Sequence, residues 1–352
     1  MKYRLLDILV CPRCKKALGL KDEKVEKAVS SVRAGLIRER HCELFCGLLS
    51  MPLQSVKEST DCAGCFQKEI TEGTLHCSSC NAEYPVIKKV PRMIPDLDHE
   101  GAQQVRNRFE FQWESWGAEE KIFGRTQDEN TEYILKGHSS LNGEKFFDGK
   151  LALDGGCGHG RFLKSFSSLG AEVIGVDFGS GIDVAAKFNE KDGAVHPVMG
   201  DLLNLPIRNN SISYTFSTGV IHHTPDPKKA FVNLSNITKK GGMMFIWVYP
   251  KEGILWEVSQ KALRAVLTRL PARFLYYLCF IPVPLLSFVK TYSSTSLRSA
   301  NWRQCAQVIY DWYSPKYQFH YSEDELKNWF AQEGFSTREL FFIRTGMSGI
   351  KS

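Results

Sequence analysis

The chain has 352 residues, 43% apolar and 12% aromatic, enough to bury a large core and too apolar for a disordered or fibrous protein. Its length favours two or three domains. The formal charge of +6 does not by itself indicate nucleic acid, because the first 96 residues hold 16 Lys/Arg against 12 Asp/Glu, an excess that metal-bound thiolates would offset.

Eight of the eleven cysteines precede residue 81, in the close pairs Cys11/Cys14, Cys42/Cys46, Cys62/Cys65 and Cys77/Cys80. Met1-Lys2-Tyr3-Arg4 leads to Asp7 with no long apolar stretch, so no secretory signal is expected and the cytoplasm is the expected compartment. In that reducing setting paired cysteines favour metal over disulfides, and Cys157, Cys279 and Cys305 are expected to be ordinary thiols. Sets of four thiolates leave no open coordination position, so one or two structural Zn2+ ions are expected. Cys62, Cys65, Cys77 and Cys80 have the spacing of a local zinc ribbon. A second partition comes from a resemblance: Leu5 to Cys14, Leu75 to Cys80 and Tyr84-Pro85-Val86 resemble the zinc-binding activator subunit of tRNA methyltransferases. The resemblance implies that Cys11, Cys14, Cys77 and Cys80 share one ion across an insertion at 15–76, leaving Cys42, Cys46, Cys62 and Cys65 for another. Both partitions stay open at this level.

The two prolines of Val90-Pro91-Arg92-Met93-Ile94-Pro95 close this module, giving a zinc-binding domain at 1–96. Residues 97–150 carry Phe109, Phe111, Trp113 and Trp116 on an expected helix and are read as a helical cap or linker. From 151 to 352, apolar runs at 151–153, 173–176, 195–199, 212–217 and 243–249 alternate with helix-length segments, the pattern of a doubly wound α/β sheet. An insertion at about 253–303 opens with an amphipathic helix bearing Leu255, Val258, Ala262, Leu263, Val266, Leu267 and Leu270, and is read as a helical lid. Ser322-Glu323-Asp324-Glu325 is a capping box that starts a further helix, and strands are expected near 335–345.

The chemistry centres on Leu151-Ala152-Leu153-Asp154-Gly155-Gly156-Cys157-Gly158-His159-Gly160, a strand that runs into a glycine-rich turn ahead of a helix. Glycines allow the sharp turn and close backbone approach to a ligand, and the helix start offers free N–H groups. Asp177 ends the next strand, where a carboxylate can accept ribose hydroxyls, and Asp201-Leu202 follows the third. The glycines are spaced more closely than in the G-x-G-x-x-G turn of NAD-binding folds. Together with Thr218-Gly219-Val220-Ile221-His222-His223, these residues resemble the class I S-adenosylmethionine-dependent methyltransferases of the type 11 group across about 150–250. The resemblance implies a Rossmann-like sheet and S-adenosylmethionine held by Asp154, Gly155, Gly156, Cys157, Gly158, Gly160, Asp177, Asp201 and Leu202.

His222 and His223 end the fourth strand, where ligands bind in such sheets, and are the candidate general bases for a hydroxyl acceptor. Trp247, Tyr249 and Asp311 to Phe319 are expected to line the same cleft. Strand four lacks the Asn/Asp-Pro-Pro-Tyr/Phe pattern of many base-amino methyltransferases and no Pro-Cys nucleophile is near, so the expected acceptor is a small molecule or a lipid- or sugar-linked metabolite. RNA is the alternative, and a noncatalytic zinc-bearing interaction protein is a distant third. Residues 274–289 hold no charge and are flanked by Arg269, Arg273 and Lys290. They are too short and proline-broken to span a membrane and are expected to cover the site or touch a bilayer surface.

Overall fold

The computed structural model describes residues 1–29, 42–56, 61–95, 100–116, 125–138, 143–283, 301–340 and 343–352. The last part of the 274–289 segment, from 284, therefore lies outside the described residues.

The N-terminal module is an antiparallel meander: β1 (Gly19–Lys27), β4 (Lys68–His76), β5 (Glu83–Ile87) and β6 (Val90–Met93) pair in that order. Between β1 and β4 lie the short β2 (Phe45–Cys46) and β3 (Met51–Pro52), then α1 (Cys62–Phe66). The catalytic domain supplies parallel strands β7 (Leu151–Gly155), β8 (Glu172–Asp177), β9 (Val195–Gly200), β10 (Ile212–Thr218) and β11 (Thr238–Trp247). Two antiparallel strands, β12 (Phe335–Glu339) and β13 (Gly346–Lys351), finish it. All five apolar runs are strands buried on both faces, as a sheet covered by helices requires.

The module and the catalytic domain share one sheet. β6 pairs in parallel with β9, Arg92 beside Met199 and Met93 beside Gly200, so eleven strands run in the order β1-β4-β5-β6-β9-β8-β7-β10-β11-β13-β12. A second seam joins Ile8 and Val10 to the chain after β9: Val10 N donates to Pro206 O at 3.0 Å and Arg208 N to Ile8 O at 2.9 Å. Leu5, Leu6, Ile8 and Leu9 are buried in one core with Leu202, Leu205, Ile207 and Leu234. Arg4, buried, pairs with Asp7 of the module and with Glu172 of β8 at 3.5 Å.

On the opposite sheet face Tyr133, Phe147, Phe162, Phe166, Tyr214, Phe216 and Phe245 form a second core. Tyr133 comes from α3 (Gln127–His138), which follows α2 (Glu100–Trp116). α4 (Gly143–Phe147), α5 (Leu163–Ser168), α6 (Gly181–Phe188) and α7 (Pro227–Ile237) complete the cover before the insertion.

The insertion forms α8 (Ile254–Leu267), α9 (Ala272–Leu278) and, past the undescribed stretch, α10 (Trp302–Tyr313); α11 (Glu323–Gln332) starts with the expected Ser322/Glu325 capping box. Of the apolar stripe of α8, only the end packs inward, Leu267 and Leu270 meeting the cluster around Leu275 and Tyr310; the rest does not face the domain. Leu255 is 89% and Ile254 82% exposed, and Val258, Leu263 and Val266 are exposed too, whereas Gln260 and Arg264 are buried. The inward pair has specific partners: Arg264 donates to the carbonyls of Trp312 and, at 2.5 Å, Pro315, and Gln260 Oε1 accepts from Trp312 Nε1 at 3.2 Å. Unmet carbonyls at the chain turn after α10 outbid apolar burial for that side of the helix.

Candidate active site and metal centre

β7 stands where the strand order reverses, between β8 and β10, which opens a crevice at the carboxyl ends of the strands. The glycine-rich turn fills its floor. Gly156, Gly158 and Gly160 all adopt left-handed backbone (φ +82°, +55° and +86°), and a Cβ on Gly156 would lie 2.3 Å from Val220 Cγ1. The turn is tied to β8 by Gly156 N and Cys157 N, which both donate to Val176 O.

A cavity of about 840 Å3 opens above this turn, within the ~300–1,000 Å3 usual for small-molecule sites. At one end it meets Asp154, Gly156, Cys157, Asp177, Asp201 and Leu202; at the other, Phe109, His223, Trp247, Tyr249 and Trp312. Gly155, Gly158 and His222 are not among its lining residues. Gly160 packs instead against Ala185.

The three acids differ in state. Asp154 is buried with no hydrogen-bond partner at Oδ2, and burial, helped by the Asp177 charge against the opposing pull of Arg161, raises its pKa to about 7. Asp177 is also pushed upward by burial, but its carboxylate is clamped by Gly158 N (2.8 Å) and Gly179 N (3.0 Å). Asp201 caps the single 3-10 turn Leu202–Asn204 by accepting from Leu203 N at 2.8 Å. An unpartnered buried carboxylate, a clamped one and a glycine cradle together suit a ligand bearing cationic and hydroxyl groups, as S-adenosylmethionine does.

The adjacent histidines separate. His223 lines the cavity, and its Nδ1 lies 2.9 Å from Tyr317 O, a pure acceptor, so Nδ1 carries the proton and Nε2 is an unpartnered acceptor. Burial lowers its pKa to about 4, against a raising influence of Asp311, so the ring is neutral at pH 7. His222 is buried off the cavity, its ring 4.0 Å from that of Tyr249, and burial holds it well below the ordinary histidine value. The far wall is stacked: Tyr249 and Trp312 lie 4.6 Å apart at 20°, and Asp311 accepts from Tyr249 Oη and Gln112 Nε2, both at 3.0 Å.

Arg106, Arg125, Tyr133 and Arg161 also line the cavity and are absent from the sequence reading. Tyr133 Oη meets Thr218 Oγ1 at 3.0 Å under the Arg125 guanidinium. Arg161 adjoins the glycine turn and was within reach of a motif argument; the others come from the chain between β6 and β7, Arg106 on α2, Arg125 just ahead of α3 and Tyr133 on α3.

In the module, the sulfurs of Cys11, Cys14, Cys77 and Cys80 lie within 4.8 Å of one another, with contacts of 3.4 to 3.6 Å. A tetrahedron with Zn–S of ~2.3 Å has S···S edges of ~3.8 Å, so the donor set fits zinc. Each knuckle turns through a left-handed residue, Lys15 and Asn81, and Tyr84 Oη supports Cys11 Sγ at 3.4 Å. The ribbon partition of Cys62 and Cys65 with Cys77 and Cys80 is thereby replaced: β4 carries Cys77 and Cys80 away from α1 to meet the N-terminal knuckle.

Comparison with known proteins agrees with this division. Residues 153–246 match the methyltransferase domain family and residues 2–88 the Trm112p-like protein family. The chain is 33% identical over 102 residues to a tRNA U34 carboxymethyltransferase of Campylobacter hominis, covering 28% of this chain and 35% of that protein. It is 30% identical over 97 residues to a malonyl-[acyl-carrier protein] O-methyltransferase of Serratia marcescens, covering 27% and 37%. Thus it spans little more than a third of these relatives. A solved complex of the Haloferax volcanii Trm112 methyltransferase activator with a methyltransferase superposes with 14% identity and a TM-score of 0.42, covering 70% of this chain and 96% of that one. The chain combines a Trm112p-like domain, carrying a four-cysteine zinc centre, with an S-adenosylmethionine-dependent methyltransferase domain.

Proposed function

We propose that the protein transfers a methyl group to an apolar small molecule or lipid-linked metabolite bound against the aromatic end of the cavity. One observation carries this reading: the cofactor-type end, with Asp154 and Asp177, and a wall of Phe109, Trp247, Tyr249 and Trp312 belong to a single cavity. Aromatic walls of this kind bind apolar groups with few rotors to freeze.

Asp177, held by two amides, would take the ribose hydroxyls; Asp154 would face the amino-acid end; Asp201 and Leu202 would border the adenine. Gly155, Gly156, Cys157, Gly158 and Gly160 form or support the cradle. S-adenosylmethionine, when bound, supplies an activated methyl group for in-line displacement. The chain's own task is to hold the acceptor in line and keep water out. His223 Nε2, neutral and unpartnered, would accept the proton of a hydroxyl acceptor, with Tyr317 O fixing the ring. His222 would serve as packing behind it.

The outward face of α8 supports a lipid-linked acceptor. Ile254, Leu255, Val258 and Val266, with Phe274, Tyr277 and Ile281 beyond, are exposed, as are Lys261, Arg269 and Arg273 of the same segment. That combination suits an anionic bilayer surface, where each basic residue contributes ~1 kcal/mol. Through Gln260 and Arg264 this helix grips Trp312, a wall of the cavity. Among the described residues no helix is long and apolar enough to cross a membrane.

RNA is the second reading, favoured by the Trm112p-like domain and the likeness to a tRNA-modifying protein. The experiment incubates the protein with methyl-labelled S-adenosylmethionine and a cell extract, then separates lipid-soluble, small-molecule and RNA fractions. Label in the lipid-soluble or small-molecule fraction is expected; label confined to RNA overturns the reading.

A further inference from the structure

Four cysteines remain after the zinc centre is assigned, and they converge. Cys42, Cys46, Cys62 and Cys65, with Arg4 and Phe66, line a separate small cavity of about 20 Å3, space for one ion or one water. We propose that these four thiolates hold a second structural metal ion, zinc by the preference of an all-thiolate tetrahedral set.

The two loops that carry the cysteines hang from the same short turn, Tyr3–Asp7. The Asp7 carboxylate accepts from three successive amides, Glu43 N (2.8 Å), Leu44 N (2.8 Å) and Phe45 N (2.9 Å), which fixes the Cys42-x3-Cys46 loop. Lys2 Nζ donates to Phe66 O at 2.8 Å and anchors the end of the Cys62-x2-Cys65 helix, whose start Asp61 caps through Gly64 N. Two glycines permit the approach: a Cβ on Gly47 would stand 2.2 Å from Tyr3 O, and one on Gly64 2.0 Å from Asp61 Oδ2. A buried carboxylate, a buried lysine and a glycine, Gly47, that backbone contact with Tyr3 O requires thus bring four sulfurs around one small space.

A divalent ion with four thiolates carries −2; the wall of the cavity includes the buried guanidinium of Arg4, which also pairs with Asp7 and Glu172. The sulfurs stand wider than those of the first centre, which alone among the described residues gathers its donors within 4.8 Å, so a bound ion would have to draw the four side chains inward.

Metal analysis of the full-length protein, purified without chelators, is expected to give two zinc ions per chain. The Cys62→Ser/Cys65→Ser variant is expected to keep one, and the sulfur-to-metal charge-transfer absorption of the cobalt-substituted protein to halve. One ion per folded wild-type chain overturns the proposal even if the variant fails to fold. Two ions retained by the folded variant overturn it as well, as does a disulfide among these four cysteines in the freshly isolated protein.

Discussion

His223 and Tyr317 are joined by a 2.9 Å hydrogen bond that runs from the ring to a backbone carbonyl ninety-four residues away, and so the tautomer of the ring is set by the segment after α10. With burial holding its pKa at about 4, this imidazole has lost its charge well below neutral pH. For a hydroxyl acceptor with S-adenosylmethionine saturating, kcat/KM is expected to be level from about pH 6 to 8 and to fall only as pH approaches 4. His223→Gln should lower kcat about 10²- to 10⁴-fold, as loss of a general base does. His222→Gln should change stability more than kcat; equal losses in kcat from both variants would refute the division.

Acid should destabilise the fold through its buried neutral histidines. His138, His159 and His223 have pKa values lowered by burial to about 4, 3 and 4. Between those values and the ordinary 6.5 the unfolded chain binds more protons, so stability falls as pH drops from 6.5 towards 4. At ~1.4 kcal/mol per pKa unit, His223 alone contributes about 3 kcal/mol to the loss. Asp154, at about 7, acts in the opposite sense, its contribution being full below its unfolded value near 3.8 and lost as pH rises through 7. Melting temperatures at pH 5 and 7.5 should show the net fall, with proton uptake on unfolding.

Cofactor binding should release a proton near neutral pH. A cationic ligand beside Asp154 stabilises its carboxylate and pulls the pKa below 7. Calorimetry with S-adenosylmethionine at pH 7 in two buffers of different ionisation enthalpy should show heats that differ by up to one proton. The difference should vanish in Asp154→Asn, and its persistence there would locate the proton elsewhere.

Gly156→Ala should be costly on two counts, left-handed backbone and the 2.3 Å approach to Val220. A loss of about 2–4 kcal/mol is expected together with loss of cofactor affinity. Val220→Ala in the same chain should recover only part of the steric cost, since Val220 Cβ still stands 2.8 Å from the added methyl, a difference that denaturant titration can resolve.

Charge on the outer face of α8 should leave the fold alone. Leu255→Glu and Val258→Glu alter exposed side chains, so stability should move by no more than about 0.5 kcal/mol. Cosedimentation with anionic vesicles should fall at least tenfold. Unchanged vesicle binding would separate this face from any membrane role.

Much of the catalytic fold could be read from the chain because its signals are local. Each apolar run at 151, 173, 195, 212 and 243 is a buried strand, and the glycine turn announces itself by residues that only left-handed backbone explains. Pairing of Arg92 with Met199 could not be read, since register between strands over a hundred residues apart leaves no periodicity in either. Nor could the orientation of α8: periodicity defines an apolar face but not which side its neighbours need, and the carbonyls of Trp312 and Pro315 decided that. The same limit kept Arg125 and Tyr133 out of the candidate site.

The pairing of β6 with β9 also determines what the sheet shows to the outside. Without the module, β9 would be a flat, buried-type strand with a row of open amides and carbonyls, an invitation to pair with another molecule. With it, the free margin moves four strands outward to β1, where Lys21, Asp22, Glu23, Lys24, Glu26 and Lys27 crowd an exposed, bulged strand. A chain assembled this way guards its own border: the Trm112p-like domain trades an adhesive edge for one whose charges and bulge disfavour strand addition.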